Sequence, residues 1–301
     1  MTLDKQDLIA RDLVSQKTNA VYDNKFNKIF KDIPWTKWYT EESDPLHCRL
    51  AYIDTYKQYL SNMKLNVIHG LDRFSDHHLI NGTTQTFDEC YHRYANRRLR
   101  LYKGEYAYHK RVVADFVFIE DAPINVGDYV IVSVPHCTTG DVPDGFYQML
   151  DTCATLSVPV IVDCAYIGTS YGVEFSVEHP AIESVSFSLT KGTGTGRIRS
   201  GVRYSNINDD YPIAQQNRYD HIVGGAARVG MWVMENLESP DFIPALYRTH
   251  QLSVCADAGL TPTPCMHVAL ADSSWDDFVI DGKYHRVGIR SLVKARKQGQ
   301  I

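Results

Sequence analysis

The sequence lacks any apolar run that approaches the roughly 20 residues needed to cross a bilayer. Its first residues, Met1 to Gln6, are polar and do not resemble a secretory signal peptide. An excess of basic residues is also missing, since the 301 residues carry a net charge of -5 at pH 7. We therefore expect a cytoplasmic protein that binds neither a membrane nor nucleic acid.

Paired cysteine spacings are also absent. The seven cysteines form an odd set without any Cys-x-x-Cys motif. Such a set indicates neither a disulfide framework nor a zinc site, so we expect reduced, buried thiols and no bound metal. Internal repeats and low-complexity segments are missing as well. These absences leave an ordinary globular protein whose function must be sought in local patterns.

The stretch with the most chemistry is residues 185–204. Apolar residues alternate with serines over residues 185–189, which predicts a strand that leads directly into Lys191. Three glycines follow, which would let backbone amides approach an anion, and Arg197 and Arg199 add positive charge. A partly desolvated lysine beside two arginines should have a lowered pKa, as a nucleophile for Schiff-base chemistry needs. A solvated glycine-rich hairpin explains this stretch equally well.

Residues before the centre of the chain predict helices and an arm. Apolar residues at helical spacing predict a helix over residues 2–16, with Thr2 as a candidate N-cap, and a second helix over residues 51–63. Between them, residues 21–40 carry many aromatic side chains and are interrupted by Pro34. We interpret this segment as an arm that packs on another surface.

The centre of the chain alternates between strand-like and helical patterns. Helical spacing occurs at residues 86–98 and 145–156. Several of the strand-like runs are apolar on both faces, as expected for strands that helices cover on both sides. The strand-like runs lie at residues 97–102, 111–119, 128–134, 158–162 and 185–189. The pattern predicts an α/β fold, with a three-layer α/β/α domain around a mostly parallel sheet.

The remainder of the chain predicts a small α+β part. Helical patterns cover residues 213–235 and 240–257, and strand-like patterns cover residues 266–270 and 284–291. We divide the chain into three parts on this basis. They are residues 1–60 as an N-terminal helix and arm, residues 61–210 as the large domain, and residues 211–301 as a linking helix and small C-terminal domain.

Polar side chains follow three of the predicted strands. Cys137 follows the run that ends at residue 134, Asp163 and Tyr166 follow the next run, and Lys191 follows the last. Ligands of open α/β sheets bind beyond the carboxyl ends of the strands. We therefore expect these four side chains to lie near one site.

The spacing of these residues resembles that of a known family. Asp163-Cys-Ala-Tyr at a strand end, Ser188-Leu-Thr-Lys, and Arg199 eight residues after the lysine resemble the aspartate aminotransferase superfamily, the fold type I enzymes that use pyridoxal 5'-phosphate (PLP). Upstream, Asn81-Gly-Thr-Thr resembles the phosphate-cradling turn of that family, and Pro135-His-Cys-Thr-Thr-Gly resembles its Asn-Pro-x-Gly segment. The resemblance covers residues 81–204, in a chain shorter than most members.

The resemblance implies a role for each residue of the site. Lys191 would form the Schiff base with PLP and later shuttle a proton. Asp163 would pair with the pyridinium nitrogen, which keeps the ring an electron sink, and Tyr166 would donate to the phenolate oxygen. Tyr106 would stack on the ring, with Tyr108 as its rival.

The resemblance also implies a phosphate cup and two departures from the family pattern. The cup would comprise the helix start at Gly82-Thr83-Thr84 together with Ser188 and Arg199. Arg197 stands where the family has glycine, so either arginine could bind the phosphate. Cys137 stands where the family has an asparagine that contacts the phenolate oxygen, and a thiol is a weaker donor.

Substrate recognition follows from the same resemblance. Tyr284-His-Arg286-Val-Gly resembles the strand whose arginine binds the substrate α-carboxylate, with Arg290 on the same strand face as the rival. The implied substrates are an α-amino acid and a 2-oxo acid. Active sites of the family lie at a dimer interface, so we expect a homodimer to which residues 21–40 contribute.

The favoured function is that of a PLP-dependent aminotransferase. The same apparatus serves amino-acid decarboxylases, C–S or β-lyases and racemases, and one sequence does not reveal which Cα bond is broken. A protein that binds PLP or phosphate without turnover is a further alternative. A nucleotide site is disfavoured, since Lys191 precedes the glycines and the Gly-x-x-x-x-Gly-Lys-Ser/Thr arrangement is missing.

Overall fold

The computed structural model describes residues 3–40, 45–207 and 210–301. The strands in chain order are β1 (Val67–His69), β2 (Asp76–Ile80), β3 (Arg98–Leu101), β4 (Phe116–Phe118), β5 (Asp128–Ser133), β6 (Val160–Asp163), β7 (Glu174–Ser176), β8 (Ile182–Ser188), β9 (Gly201–Ser205), β10 (Thr261–Pro262), β11 (Val268–Ala271), β12 (Val279–Ile280) and β13 (Tyr284–Gly288). The α-helices are α1 (Lys5–Ala10), α2 (Lys25–Lys31), α3 (Trp35–Thr40), α4 (Pro45–Ser61), α5 (Thr83–Arg93), α6 (Ala107–Val112), α7 (Phe146–Thr155), α8 (Pro212–Arg218), α9 (Gly224–Leu237), α10 (Phe242–Ala258) and α11 (Arg290–Lys297).

A seven-stranded sheet forms the centre of the fold, in the order β2-β9-β8-β6-β5-β3-β4. Strand β9 pairs antiparallel with β8 and β2, whereas the other neighbours in the sheet pair parallel. The predicted mostly parallel sheet is thereby confirmed. Its parallel strands β5, β6 and β8 end at the same edge, so the residues after them are brought together.

Helices cover the sheet on both faces, as the alternation along β5 shows. Tyr129 and Ile131 belong to an apolar cluster that includes Phe87 of α5. Val130 and Val132 belong to the larger cluster, which includes buried residues of α7 and α9. Every residue of β5 is buried. A strand whose two faces are both covered by helices accounts for the continuous apolar run, and the predicted three-layer α/β/α arrangement is confirmed.

A second, antiparallel sheet of order β10-β11-β13-β12 forms a small α+β part with α10 and α11. The start of the chain pairs with this part. Ser15 and Gly288 exchange two backbone hydrogen bonds of 2.9 and 2.7 Å, and the amide of Leu3 donates to the carbonyl of Asp257. The domain boundaries at residues 60 and 210 stay predictions.

The arm of residues 21–40 forms α2 and α3 and packs on α9 of its own chain. The indole of Trp232 donates to the carbonyl of Ile29 at 3.0 Å. The guanidinium of Arg228 donates to the carbonyl of Trp38 at 2.6 Å. Trp35, by contrast, leaves 44% of its surface exposed. Among the described residues, no helix has both the length and the apolar character of a membrane span.

Helix boundaries at the N-terminus differ from the prediction of a helix over residues 2–16. Helix α1 ends at Ala10, and Asp12 adopts a φ of 52°, a left-handed conformation that a helix does not continue through. The side chain of Asp4 caps the helix by accepting from the amide of Gln6 at 2.9 Å. The candidate cap Thr2 lies outside the described residues.

Three further predicted elements need correction. Residues 111–119 do not form one strand, since α6 extends to Val112 and only three residues of the edge strand β4 pair with β3. Residues 213–235 form two helices, which are separated by a turn with Asp220 at a φ of 55°. The last strand ends at Gly288, so Arg290 begins α11 and is not a strand residue. Strands β2 and β9 were not predicted.

Helix α5 begins beside the strand ends and is held there by one buried carboxylate. Glu89 forms an ion pair with Arg203 of β9, and both side chains are 3% exposed. Its other oxygen accepts from the amide of Ile213 of α8 at 2.6 Å. Glu89 therefore links α5 to β9 of the central sheet and to α8.

Replacing Glu89 by alanine should destabilise the fold strongly. The change leaves the buried guanidinium of Arg203 without its anion, and loss of one partner of a buried pair costs about 3–5 kcal/mol. The free energy of unfolding, measured by urea titration, should fall by that amount. Glu174→Ala is the matched control, because its ion pair with His69 is exposed and should contribute less than about 1 kcal/mol. Equal losses in both variants would contradict this role of Glu89.

Candidate functional site

A cavity opens beyond the carboxyl ends of β5, β6 and β8, and we call it the strand-end cavity. It brings together nine of the residues that the sequence predicts for the site, whereas Gly82 lies next to it and Arg197 and Arg286 do not line it. Its lining residues are Thr83, Thr84, Tyr106, Ser133, Pro135, Cys137, Asp163, Ala165, Tyr166, Ser188, Thr190, Lys191 and Arg199.

Lys191 lies in the turn that follows β8, with its amine 5.5 Å from the centre of the Tyr166 ring. Burial lowers the pKa of Lys191 from its ordinary value, and the positive charge of Arg199 acts in the same direction. A lowered pKa increases the fraction of neutral amine, which is the form that acts as a nucleophile or base. The lysine therefore has the electrostatics expected of a reactive amine.

Asp163, the last residue of β6, is a buried carboxylate. Its Oδ1 accepts a hydrogen bond from the amide of Ala165 at 3.0 Å, and its side chain forms no ion pair with a described residue. Burial raises the pKa of Asp163 to about 7, and the charge of Glu105 adds to the increase. A cationic partner placed against this carboxylate would compensate the cost of its burial.

Helix α5 begins at the rim of the cavity and forms a cradle suited to an anion. Its N-cap is Gly82, with a φ of 77°. The guanidinium of Arg199 donates to the hydroxyl of Thr84 at 2.9 Å. A Cβ atom at position 82 would lie 2.8 Å from Nη2 of Arg199, and the backbone angles of 77° and 165° are ones that residues with a side chain rarely adopt. Ser188, which donates to Thr190 at 2.9 Å, lines the same cavity.

Arg197 lies apart from this cradle. It lines a second cavity, together with Lys191 and Arg290. Two of the glycines between Lys191 and Arg197, Gly192 and Gly194, lie where a side chain would not fit, and the anion loop that the sequence suggests stays a prediction. A Cβ at Gly192 would lie 2.8 Å from the carbonyl oxygen of Gly168, and Gly194 has a φ of 70°. The geometry thus separates the two arginines that the sequence left as alternatives.

Tyr106 and Tyr108 occupy different environments. Tyr106 lines the strand-end cavity with 41% of its surface exposed. Tyr108 does not line this cavity, and its hydroxyl donates to the carboxylate of Asp88 at 2.7 Å. The two rings are stacked, with centroids 6.0 Å apart and an interplanar angle of 22°. Tyr106 is therefore the ring that faces the cavity.

Glu105 is a buried carboxylate beside the cavity that the sequence analysis missed. It accepts from the amide of Ser133 at 2.9 Å and from the thiol of Cys137 at 3.4 Å. The pKa of Glu105 lies below its usual value. Burial alone would raise this pKa, but the charges of His136 and His109 and the hydrogen bonds from Ser133 lower it by more. No periodic pattern in the sequence marks this residue, because it precedes α6 in an irregular segment.

The thiol of Cys137 forms a hydrogen bond within the fold. It donates to the carbonyl of Gly104 at 3.1 Å, and burial raises its pKa well above the ordinary value. Burial also raises the pKa of Tyr166, so its hydroxyl remains protonated and able to donate. The hydroxyl lies 3.3 Å from Oγ1 of Thr18. Tyr166 is thus the stronger donor of the two.

Arg286 lies near the site without lining the strand-end cavity. Its Nη1 donates to the hydroxyl of Thr138 at 3.2 Å. Its Nε is buried and has no hydrogen-bond partner among the described residues. Its charge lowers the pKa of both Tyr166 and Cys137 against the effect of burial. Within the same described residues, no group of acidic, histidine or cysteine side chains is arranged to bind a metal.

Comparison with known proteins identifies the fold. No family model matches the sequence, and no curated protein matches it either. The aspartate aminotransferase of Thermus thermophilus, as a tetra mutant, superposes with a TM-score of 0.64 at 14% identity over 94% of each chain. The histidinol-phosphate aminotransferase of Clostridium acetobutylicum gives a TM-score of 0.60 at 15% identity, over 94% of this chain and 97% of that one.

A candidate aminotransferase from Clostridium difficile, solved with PLP bound, gives a TM-score of 0.65 at 12% identity over 93% of this chain and 89% of that one. The chain therefore has the fold of the aspartate aminotransferases, fold type I, as the resemblance in the sequence predicted. At these identities the likeness defines the fold, and the activity must be argued from the site.

Replacing Asp163 by asparagine should change how stability depends on pH. Because the pKa of Asp163 is raised to about 7 in the folded cofactor-free protein, against about 3.9 in an unfolded chain, its contribution to stability is greatest below pH 4 and is lost as pH rises towards 7. An asparagine keeps the bond from Ala165 and avoids this loss. In urea titrations of the cofactor-free protein, Asp163→Asn should be more stable than wild type at pH 8, with a much smaller difference at pH 4.5. A difference that does not vary with pH would contradict the assignment.

Proposed function

We propose that this protein is a PLP-dependent aminotransferase that moves an amino group from an α-amino acid to a 2-oxo acid. The observation that carries the proposal is the position of Lys191. Its partly buried amine shares one cavity with the buried carboxylate of Asp163 and the hydroxyl of Tyr166, at the ends of adjacent parallel strands. The fold type I architecture supports the proposal.

The residues of the strand-end cavity fit PLP in their chemistry. Asp163 is a buried carboxylate that accepts hydrogen bonds from Ala165 and Thr83 but has no ion pair among the described residues, and a protonated ring nitrogen would neutralise it. The start of α5 at Thr83 and Thr84, with Arg199 bound to the latter, offers donors and positive charge for a phosphate. Tyr106 provides an aromatic face beside them. Each part of the cofactor thus has a complementary group.

The roles of the chain's own residues follow from this fit. When bound, PLP supplies a conjugated ring that accepts the electron pair released at the substrate Cα. Asp163 would hold the proton on the ring nitrogen, and Tyr166 would donate to the phenolate oxygen. Lys191 would hold the cofactor through its aldehyde, with loss of water, and the lowered pKa of its amine would suit it to carry the proton taken from Cα. We assign the α-carboxylate of the substrate to Arg286, because its buried Nε lacks a partner among the described residues.

We also propose that the protein works in the cytoplasm as a homodimer, with α-amino acids and 2-oxo acids as its small-molecule partners and without nucleic acid or a membrane. The exposed Trp35 of the arm is a candidate contact for the second subunit. Decarboxylation, β-elimination and racemisation by the same apparatus are the alternative reactions. A protein that binds PLP without turnover is the alternative of another class.

Incubation with PLP should give a visible absorbance band, and borohydride should fix the cofactor on Lys191. Mass spectrometry of a digest is expected to find the reduced pyridoxyl group on the peptide that contains Lys191. Lys191→Ala should lose the band, whereas Lys64→Ala, on the exposed surface, should retain it. Failure of the wild-type protein to take up PLP, or modification of other lysines only, would refute the proposed role.

A half-reaction separates aminotransfer from the other PLP reactions. Mixing the PLP-loaded protein with single amino acids should convert the cofactor to its pyridoxamine form and release an equimolar 2-oxo acid, both of which are measurable by absorbance and chromatography. The transfer proposal requires this stoichiometry. Release of carbon dioxide or ammonia in its place would identify a decarboxylase or lyase, and no change of the cofactor with any amino acid would favour a binding protein.

A further inference from the structure

A separate cavity of about 580 Å³ lies beside the first residues of β2, and we call it the β2 cavity. Strand β2 pairs antiparallel with β9, which pairs antiparallel with β8, so β2 and β8 run in the same direction. The amino end of β2 therefore lies away from the carboxyl ends that carry Asp163 and Lys191. The β2 cavity and the strand-end cavity share no lining residue.

The walls of the β2 cavity are mostly apolar. They come from the end of α4 and the residues after it, from β1, and from the turn that leads to β2. Sites for small molecules have volumes of about 300–1,000 Å³ and apolar walls with a few polar groups. The volume and the walls of this cavity agree with that description. The apolar side chains are Leu60, Met63, Val67, Ile68, Leu71 and Phe74.

Tyr204 of β9 supplies an unused hydrogen-bond donor to this cavity. The residue lines the cavity and is 4% exposed. Its hydroxyl forms no hydrogen bond with a residue in the part of the chain that the structure describes. Burial raises the pKa of Tyr204 above its ordinary value, so the hydroxyl keeps its proton. A buried donor without a partner costs free energy, which a ligand acceptor would compensate.

Two further polar groups lie beside that hydroxyl. The ring of His77 packs edge to face on the ring of Tyr204, with centroids 4.7 Å apart. Burial and the nearby charge of Lys57 lower the pKa of His77, so its imidazole is neutral at pH 7. Lys57, on α4, forms no hydrogen bond or ion pair with any residue of the described ranges. One end of the cavity thus presents a cation and a buried hydroxyl donor.

The acidic residues of this region do not occupy that end. Asp76 and Asp54 act on the pKa of His77, but neither lines the cavity. Asp72 lines the cavity, but it is exposed to solvent and has no effect on the pKa of His77. An anion placed between Lys57 and Tyr204 would therefore meet donors and no carboxylate of the lining.

We propose that the β2 cavity binds a small aromatic carboxylic acid, with its carboxylate against Lys57 and the hydroxyl of Tyr204 and its ring between the apolar walls. A carboxylate accepts from both donors. Phe74 and Met63 favour a ring as the apolar body, since aromatic and thioether side chains pack well on aromatic rings. The inference does not rest on the proposed function, because no residue of the strand-end cavity takes part.

Calorimetric titration of the protein as purified tests this site with indole-3-acetate. The neutral amide, indole-3-acetamide, has nearly the same size and shape. The acid should bind at least about tenfold more tightly than the amide, a difference of about 1.4 kcal/mol. Octanoate should bind more weakly than indole-3-acetate, because its flexible chain loses more freedom on binding. Equal dissociation constants for the acid and the amide, or tighter binding of octanoate, would overturn the inference.

Two variants test the donors one at a time. Tyr204→Phe removes only the hydroxyl and should weaken binding of indole-3-acetate about tenfold. Lys57→Gln should weaken it about threefold, and less at high salt, because this amine is exposed. Tyr219→Phe and Lys28→Gln are the matched controls, since both residues are exposed and neither lines the cavity. An unchanged dissociation constant in either cavity variant would contradict the proposal.

Two further measurements exclude other occupants of the site. Arg286→Gln should bind indole-3-acetate as tightly as wild type, and weaker binding in this variant would place the acid at the proposed substrate site. Light scattering should give the same mass for wild type and for Val67→Glu, whose altered side chain lies on the cavity wall and is 40% exposed in the wild type. A dimer that Val67→Glu dissociates would make a second copy of the chain the occupant and overturn the inference.

Discussion

The burial of a carboxylate at the end of β6, one strand away from a partly buried lysine, is the constraint on which the site depends. Asp163 is 5% exposed and Lys191 is partly buried. Burial favours the neutral form of both groups, because it raises the pKa of Asp163 and lowers the pKa of Lys191. A fold accepts such groups only when another interaction compensates their cost. A ligand with a cationic ring nitrogen and an aldehyde would engage both groups at once.

The sheet order explains why these groups meet. Strands β5, β6 and β8 are parallel neighbours, so the residues that follow them converge, while α5 brings its first turn to the same edge. The buried pair of Glu89 and Arg203 fixes α5 against β9. The same arrangement leaves a second cavity beside Lys191, which is lined by residues from the start of the chain and by Arg290 of α11. Lys191 thereby lines both the strand-end cavity and the second cavity.

Much of the centre of this fold could be predicted from the sequence, because strands that are apolar on both faces, such as β5, leave a clear signal. The strand-end residues Asp163 and Lys191 could be located for the same reason. Strands β2 and β9 escaped prediction because polar residues such as His77 and Arg203 interrupt their pattern.

Other parts of the site depend on contacts between distant residues. Glu105 is buried by partners that only the folded chain supplies, and no local pattern shows that Arg197 and Arg290 line the same cavity. The choice of Arg199 for the cradle likewise depends on its bond to Thr84. Local patterns mark strand ends, but they do not show which side chains from separate elements share a cavity.

A crystal structure of the protein grown with PLP tests the central claim most directly. We expect electron density that joins the cofactor to Lys191, with its ring nitrogen within hydrogen-bond distance of Asp163 and its phosphate against Thr84 and Arg199. Cofactor density in the second cavity, with the phosphate on Arg197 and no cofactor atom near Asp163, would contradict this account.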